Sequence, residues 1–202
     1  MLAAATLRTR LSTVPLTDEY GPWSRVVAYE YLVGPPPGAP PTARPNPLWP
    51  GGSRINGQRF TPKGSFDTAY LTQDPVTALL EVQAVMSIGG YVRLAGANPQ
   101  VVVTILGTVA NVLDTTDPTV RAALRTSTSE LTGVWAYVPG GAIAPTQLLG
   151  QLAYDGGRIH GIKYTSSKNP PATCLCVFPE RLHAPERLSV IDGSGNLVSE
   201  LP

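Results

Sequence analysis

Charge is scarce in this 202-residue chain. Lysine, arginine, aspartate and glutamate together make up 14% of it and the net charge is +1, against the ~25% charged residues of an average globular protein. That excludes a basic field able to hold nucleic acid by its phosphates, and an acidic tail as well. Cysteine is nearly missing. Cys174 and Cys176 share one face of an extended segment, too near in sequence for an unstrained bridge, and read as buried strand residues. With only His160 and His183 beside them, neither ligand count nor spacing makes a zinc site, and no metal is expected. Long apolar runs are missing too. Nothing approaches the ~20 residues that span a bilayer, and Arg8 and Arg10 interrupt the opening MLAAATLRTRLSTVPL before it resembles a leader. The expectation is a soluble cytoplasmic protein, off the membrane, in a reducing compartment.

Proline and glycine are what the chain has in abundance, 21 and 20 residues. They predict many turns and short elements. The length suits one domain, and 43% hydrophobic content supplies a core. Residues 1–22 read as a loose arm and 23–202 as the domain. SRVVAYEYLV (24–33) predicts a strand. Proline fixes φ and removes donors, so 34–52 reads as a loop: a binding loop or lid, or a tolerated surface insertion. A short strand is expected at 67–71. Asp74-Pro75 then opens a helix with Val76, Leu79, Leu80 and Val85 as apolar positions. Thr77, Glu81 and Ala84 share its other face, and Gly89-Gly90 ends it. Strands follow at 91–95 and 101–109 around Gly96-Ala97-Asn98-Pro99, with a strand end at 112–114. Asp117, better used as a cap than as a carboxylate paired with Asp114, starts a helix over 119–125. Pro145 starts another, stopped by Gly156-Gly157. Strands at 161–166, 172–178 and 187–191 complete an α+β reading, since no βαβ repeat is present.

The stretch GQRFTPKGSFDTAYLTQDPVTALLEV (57–82) carries the chemistry. Arg59 lies in a loop, Tyr70 in a strand and Glu81 on a helix, three elements that tight turns can converge on one pocket. An arginine for pyrophosphate, an aromatic for a ring and a carboxylate for a sugar suit a nucleotide. GGSRING (51–57) has no Walker lysine and GGRIHG (156–161) no preceding strand, so neither is a phosphate loop. His160 lacks triad partners and reads as structural.

Four blocks in order resemble the RES domain family: GQRFTPKG (57–64), AYLTQDPVTALLE (69–81), NVLDTTDPTVRAAL (111–124) and PTQLLGQLAYDGGRIHGIKYTSSK (145–168). The resemblance runs over about residues 23–182. It implies a bacterial toxin of a toxin–antitoxin pair that consumes NAD+. It also implies a mixed or split β-sheet with short helices, similar to ADP-ribosyltransferase cores. By position, Arg59, Glu81 and Ser166 fall on the family's catalytic residues, and Tyr70 and Arg25 on its substrate-binding ones. Ser167 competes with Ser166, because a one-residue slip exchanges strand faces. Phe60 and Thr61, in the substrate-binding loop, depart from the family's usual Trp or Tyr and Asn; Thr165 and Lys168 replace Pro and Arg. Thr61 bears most directly on activity.

The resemblance further implies NAD+ as substrate, with no cofactor. Phosphate, water or a nucleophile on another molecule would be the acceptor. An antitoxin with a helix-turn-helix part would be the partner, its C-terminal segment plugging the site, and this chain would not touch nucleic acid itself. Three functions follow: an NAD+ phosphorylase or glycohydrolase, an ADP-ribosyltransferase, or a degenerate nucleotide- or partner-binding module. In the chemistry itself the nicotinamide leaves from a pyridinium, so it needs little acid help. A carboxylate such as Glu81 steadies the oxocarbenium-like transition state.

Overall fold

A computed structural model describes residues 1–202 apart from 36–37, 41–42, 44, 84, 89–90, 95–98, 137–142 and 192–193. In chain order the elements are α1 (Ala4–Leu11), β1 (Thr17–Tyr20), β2 (Trp23–Ala28), α2 (Glu30–Val33), α3 (Gly51–Asn56), β3 (Ala69–Thr72), α4 (Pro75–Glu81) and the hairpin β4 (Val85–Ile88) and β5 (Tyr91–Leu94). Then come β6 (Gln100–Asp114), α5 (Pro118–Leu124), α6 (Thr128–Thr132), α7 (Pro145–Asp155), β7 (Gly161–Thr165), β8 (Thr173–Val177), β9 (Arg187–Ile191) and β10 (Leu197–Leu201).

The β-branched run from Gln100 to Asp114 is one strand where the sequence suggests two, and it organises a mixed α+β fold. The main sheet runs β10-β9-β6-β2-β3-β8-β7, with β1 laid antiparallel on β6. The far end of β6 pairs in parallel with β7, Val112 opposite Gly161, so the path β6-β2-β3-β8-β7 closes on itself. The closure is thin at one place: β2 and β3 share the single pair Ser24 and Thr72. Gly107 lets β6 pass β9 closely, because a Cβ there would lie 1.8 Å from the Arg187 carbonyl oxygen.

Side-chain alternation gives the sheet two apolar faces. Cys174 and Cys176 of β8, both free thiols, join Leu7, Leu124, Leu149 and Phe178 beneath α1, α5 and α7. Leu175 and Val177, one residue out of phase, join Trp23, Leu71, Ile105 and Leu188 on the other side.

Several expectations are corrected. Residues 1–22 are no loose arm: Leu7, Leu11 and Val14 are buried in the helical core, Arg158 donates to the Leu11 and Val14 carbonyls, and β1 extends the sheet. The strand expected over 24–33 stops at Ala28, which pairs with Gln100, the first residue of β6; one more bond, from the Tyr29 N–H to the Pro99 carbonyl at 3.0 Å, follows, and Glu30–Val33 turns helical. The segment 34–52 buries Leu48 completely and gives its last glycines to α3. Helix α4 starts as expected, with the Asp74 carboxylate accepting from the Thr77 N–H at 2.9 Å and Pro75 in its first turn. It stops at Glu81, before Gln83 at φ 57°, and Val85 belongs to β4 instead. Val76 is exposed. The expected roles of Ala84, Gly89-Gly90, Ala95 and Gly96-Ala97-Asn98 lie outside the described residues. Helix α6 and strands β1 and β10 have no counterpart in the sequence reading.

Candidate active site

A cavity of about 620 Å³ opens where β2 and β3 share their single pair, walled by Ser24 and Arg25 on one side and Tyr70 and Thr72 on the other. Its size is in the usual range for small-molecule sites. Glu81, on the last turn of α4, reaches its wall. So do Arg59, Ser167 and Lys168.

The carboxylate of Glu81 is held through one oxygen. Its Oε1 accepts from Ser166 Oγ at 2.5 Å and from the Ser167 N–H at 3.1 Å; its Oε2 takes no hydrogen bond from a described residue. Ser166 is completely buried, and its hydroxyl also accepts from the N–H groups of Lys168, at 3.1 Å, and Asn169, at 2.9 Å. Asn169 Nδ2 in turn donates to Thr77 Oγ1, which donates to Asp74. The capping residue of α4 and the carboxylate at its far end are thus both tied to the turn after β7.

Arg59 is buried, and its guanidinium is a staple. Nη1 donates to the carbonyls of Leu131 and Gly133, each at 2.8 Å, and Nη2 to Ser167 Oγ at 3.1 Å. It makes no ion pair with a described carboxylate. Arg25 is also spent on main chain, donating to the Leu48 and Trp49 carbonyls at 3.1 and 2.9 Å. Burial lowers its pKa to about 10, so it stays charged at neutral pH. These bonds dock the end of the proline-rich segment against β2.

Tyr70 presents its ring to the cavity while its hydroxyl is fixed behind the wall. It accepts from the Phe60 N–H at 3.0 Å and shares a bond with Thr61 Oγ1 at 3.1 Å. Burial first, then the neighbouring Cys176, raises its pKa well above the ordinary value and keeps it neutral. Phe60 and Thr61, expected on the substrate, do not line this cavity. Phe60 is fully buried edge-on to Tyr164, with centroids 4.8 Å apart. Thr61 is fully buried too, its hydroxyl 2.6 Å from Thr68 Oγ1. Both meet the Tyr70 hydroxyl, Phe60 through its N–H and Thr61 through its own hydroxyl.

Cys174 reaches the cavity with Sγ 4.0 Å from Glu81 Oε1. Burial, then the Glu81 charge, pushes its thiol up to about 12, so it is no thiolate nucleophile at neutral pH. His160 stands apart, bound through Nδ1 to both oxygens of Glu186 at 2.9 Å. Among the described residues no three His, Cys, Asp or Glu side chains are placed to hold a metal, and no helix is long and apolar enough to cross a membrane.

The structure therefore brings Arg25, Arg59, Tyr70 and Glu81 to one cavity, with Ser166 directly behind Glu81 and Ser167 on the wall. β7 ends at Thr165, so the two serines are turn residues, and strand alternation does not decide between them. Sequence reasoning missed Trp135, which follows α6 and lines the cavity. Its only signal was a large aromatic in a segment without periodicity.

The sequence profile of the RES domain family matches residues 36–198. No curated protein matches the chain. Among solved structures, a chain in the crystal structure of the M. tuberculosis MbcT–MbcA toxin–antitoxin complex is similar at 18% identity, covering 94% of this chain and 92% of that one, with a TM-score of 0.64. At that identity the likeness speaks to the fold.

Proposed function

The chain belongs to the RES domain family, and from that premise we propose that it is a cytoplasmic toxin that degrades NAD+ by cleaving the nicotinamide–ribose bond. The observation that carries this reading is the half-bound Glu81 carboxylate at the wall of a nucleotide-sized cavity. With Oε1 fixed by Ser166 and Ser167, Oε2 is left to face a ribose hydroxyl or the developing positive charge on the anomeric carbon. A preorganised carboxylate of this kind needs no reorganisation during reaction. The C–N bond breaks with its electron pair going to the pyridinium nitrogen, releasing neutral nicotinamide. A phosphate oxygen then bonds to the anomeric carbon, or a water does so and gives its proton to solvent. The Tyr70 ring offers a stacking surface. Arg25 and Arg59 supply positive potential for the dinucleotide phosphates, although most of their strong donors hold main chain.

The partner in this reading is an antitoxin with a helix-turn-helix part, its C-terminal segment entering the cavity mouth. Val82 and Val134, exposed on the rim, give that segment an apolar landing.

Proton and phosphorus NMR of NAD+ incubated with wild type and Glu81→Gln, with and without phosphate, tests the activity. Wild type is expected to consume NAD+, giving a phosphorylated ADP-ribose in phosphate buffer and ADP-ribose without it. Glu81→Gln should be slower by roughly 10²–10³-fold, the scale of losing one preorganised electrostatic contact. Intact NAD+ with the wild type, or equal rates for both proteins, sinks the reading.

A further inference from the structure

The cavity has three cationic side chains on its wall, Arg25, Arg59 and Lys168, and they are not equivalent. Each arginine has both terminal nitrogens donating to protein oxygens, which fixes its guanidinium in place. Lys168 is exposed, and its ammonium has no hydrogen-bond or ion-pair partner among the described residues. Its backbone is nevertheless anchored. The Lys168 N–H donates to Ser166 Oγ, the same hydroxyl that donates to Glu81 Oε1. One buried oxygen therefore holds both the carboxylate and the backbone of the lysine, so the ammonium swings on its stem from a root fixed close to Glu81.

Resting on the reading above, we infer that Lys168 is the residue that grips phosphate oxygens of the ligand in this cavity. An ammonium on a flexible stem, with three donors and no partner to give up, can follow an oxyanion that two immobilised guanidiniums can only attract. Two sources present the same chemistry, the pyrophosphate of the dinucleotide and an inorganic phosphate acceptor. Kinetics separates them.

Phosphorolysis by wild type, Lys168→Met and Lys168→Arg is measured twice, varying phosphate at saturating NAD+ and varying NAD+ at saturating phosphate. Lys168→Met is expected to raise one KM by roughly 10- to 100-fold, the worth of a hydrogen bond to a charged group, with kcat nearly unchanged and the melting temperature kept. Lys168→Arg should restore most of the loss. A shift in the phosphate KM assigns Lys168 to the acceptor, and a shift in the NAD+ KM assigns it to the pyrophosphate. If the wild type cleaves NAD+ and Lys168→Met leaves both KM values unchanged, the inference is overturned and the function stands. If the wild type leaves NAD+ intact, the function fails first, and calorimetry with inorganic pyrophosphate decides Lys168 alone: tenfold weaker binding by Lys168→Met upholds the contact, and equal binding overturns it.

Discussion

At the scale of single residues, adjacent serines hold different jobs. Ser166, itself completely buried, has its hydroxyl on Glu81 and two N–H groups on its oxygen. Ser167 offers Glu81 its backbone N–H, and among the described residues its hydroxyl receives Arg59 alone. Ser166→Ala should therefore lower NAD+ turnover by roughly 10- to 100-fold and cost about 1–3 kcal/mol of stability, since two N–H groups lose their acceptor. Ser167→Ala keeps the backbone bond to Glu81 and should cost a fraction of that on both counts. Steady-state kinetics and urea unfolding of the two variants check this; a larger loss for Ser167→Ala would put the working hydroxyl one residue later. Thr61 makes a second contrast. Its hydroxyl touches Thr68 and Tyr70 rather than the cavity, so Thr61→Val should cost about 1–3 kcal/mol while leaving the KM for NAD+ within about threefold. A much larger rise in KM would return Thr61 to the substrate. The departure from the family's usual asparagine thus bears on how Tyr70 is held.

Between elements, α7 meets the loop before β3 backbone to backbone. A Cβ on Gly150 of α7 would fall 1.8 Å from the Phe60 carbonyl oxygen, so the helix lies directly against the loop that carries Arg59. Gln147, one turn earlier, donates through Nε2 to the Gln58 carbonyl at 3.1 Å. In an exposed helix interior Gly→Ala gains about 1 kcal/mol; here it has to push the loop away. Gly150→Ala should destabilise by about 3 kcal/mol or more and reduce turnover with it, because Arg59 moves with Phe60. A variant as stable and active as wild type, by thermal melting and NAD+ consumption, would show that the loop is not seated on α7. Helices such as α7 and the start of α4 were legible because they announce themselves locally, through Pro145 and through Asp74-Pro75. The elements that went unread are those whose reason lies elsewhere in the chain. α1 is a helix because Leu7 and Leu11 find α7 and α5, and β2 ends where β6 begins. The four-residue β1 exists because β6 outruns β2 and has an edge left to cover. Arg59, Tyr70 and Glu81 were readable as a set. That Arg59 would spend its donors on the Leu131 and Gly133 carbonyls was not, because the capping pattern Ser127-x-x-Glu130 that starts α6 went unread and nothing local ties that helix to Arg59.

Over the whole molecule, the sheet path closes through β6, and the cavity occupies its thinnest seam, between β2 and β3. The opposite side must then be firm if the seam is to keep its shape, and there β6, the start of β7 and the loop before β9 meet at one carboxylate. Glu186 accepts from the Ala110 N–H at 2.6 Å, from His160 Nδ1 at 2.9 Å and from the His183 N–H at 3.1 Å. Burial alone would raise its pKa; the bonds from His160 and the two N–H groups, with the His160 charge, outweigh that and bring it below the ordinary glutamate value. A carboxylate whose pKa is depressed by folding contributes stability that is fully present above its unfolded value and is lost as the pH falls through the lower folded one. Glu186→Gln cannot accept all three bonds and has no charge to titrate. It should be about 1–3 kcal/mol less stable than wild type at neutral pH, and the gap should narrow as the pH falls below the ordinary glutamate value of about 4.3 and through the lower folded one. Urea unfolding of both proteins from neutral pH into the acid limb measures that gap. A gap that stays constant with pH would mean Glu186 acts by shape alone, and that the closure opposite the cavity is not held by its charge.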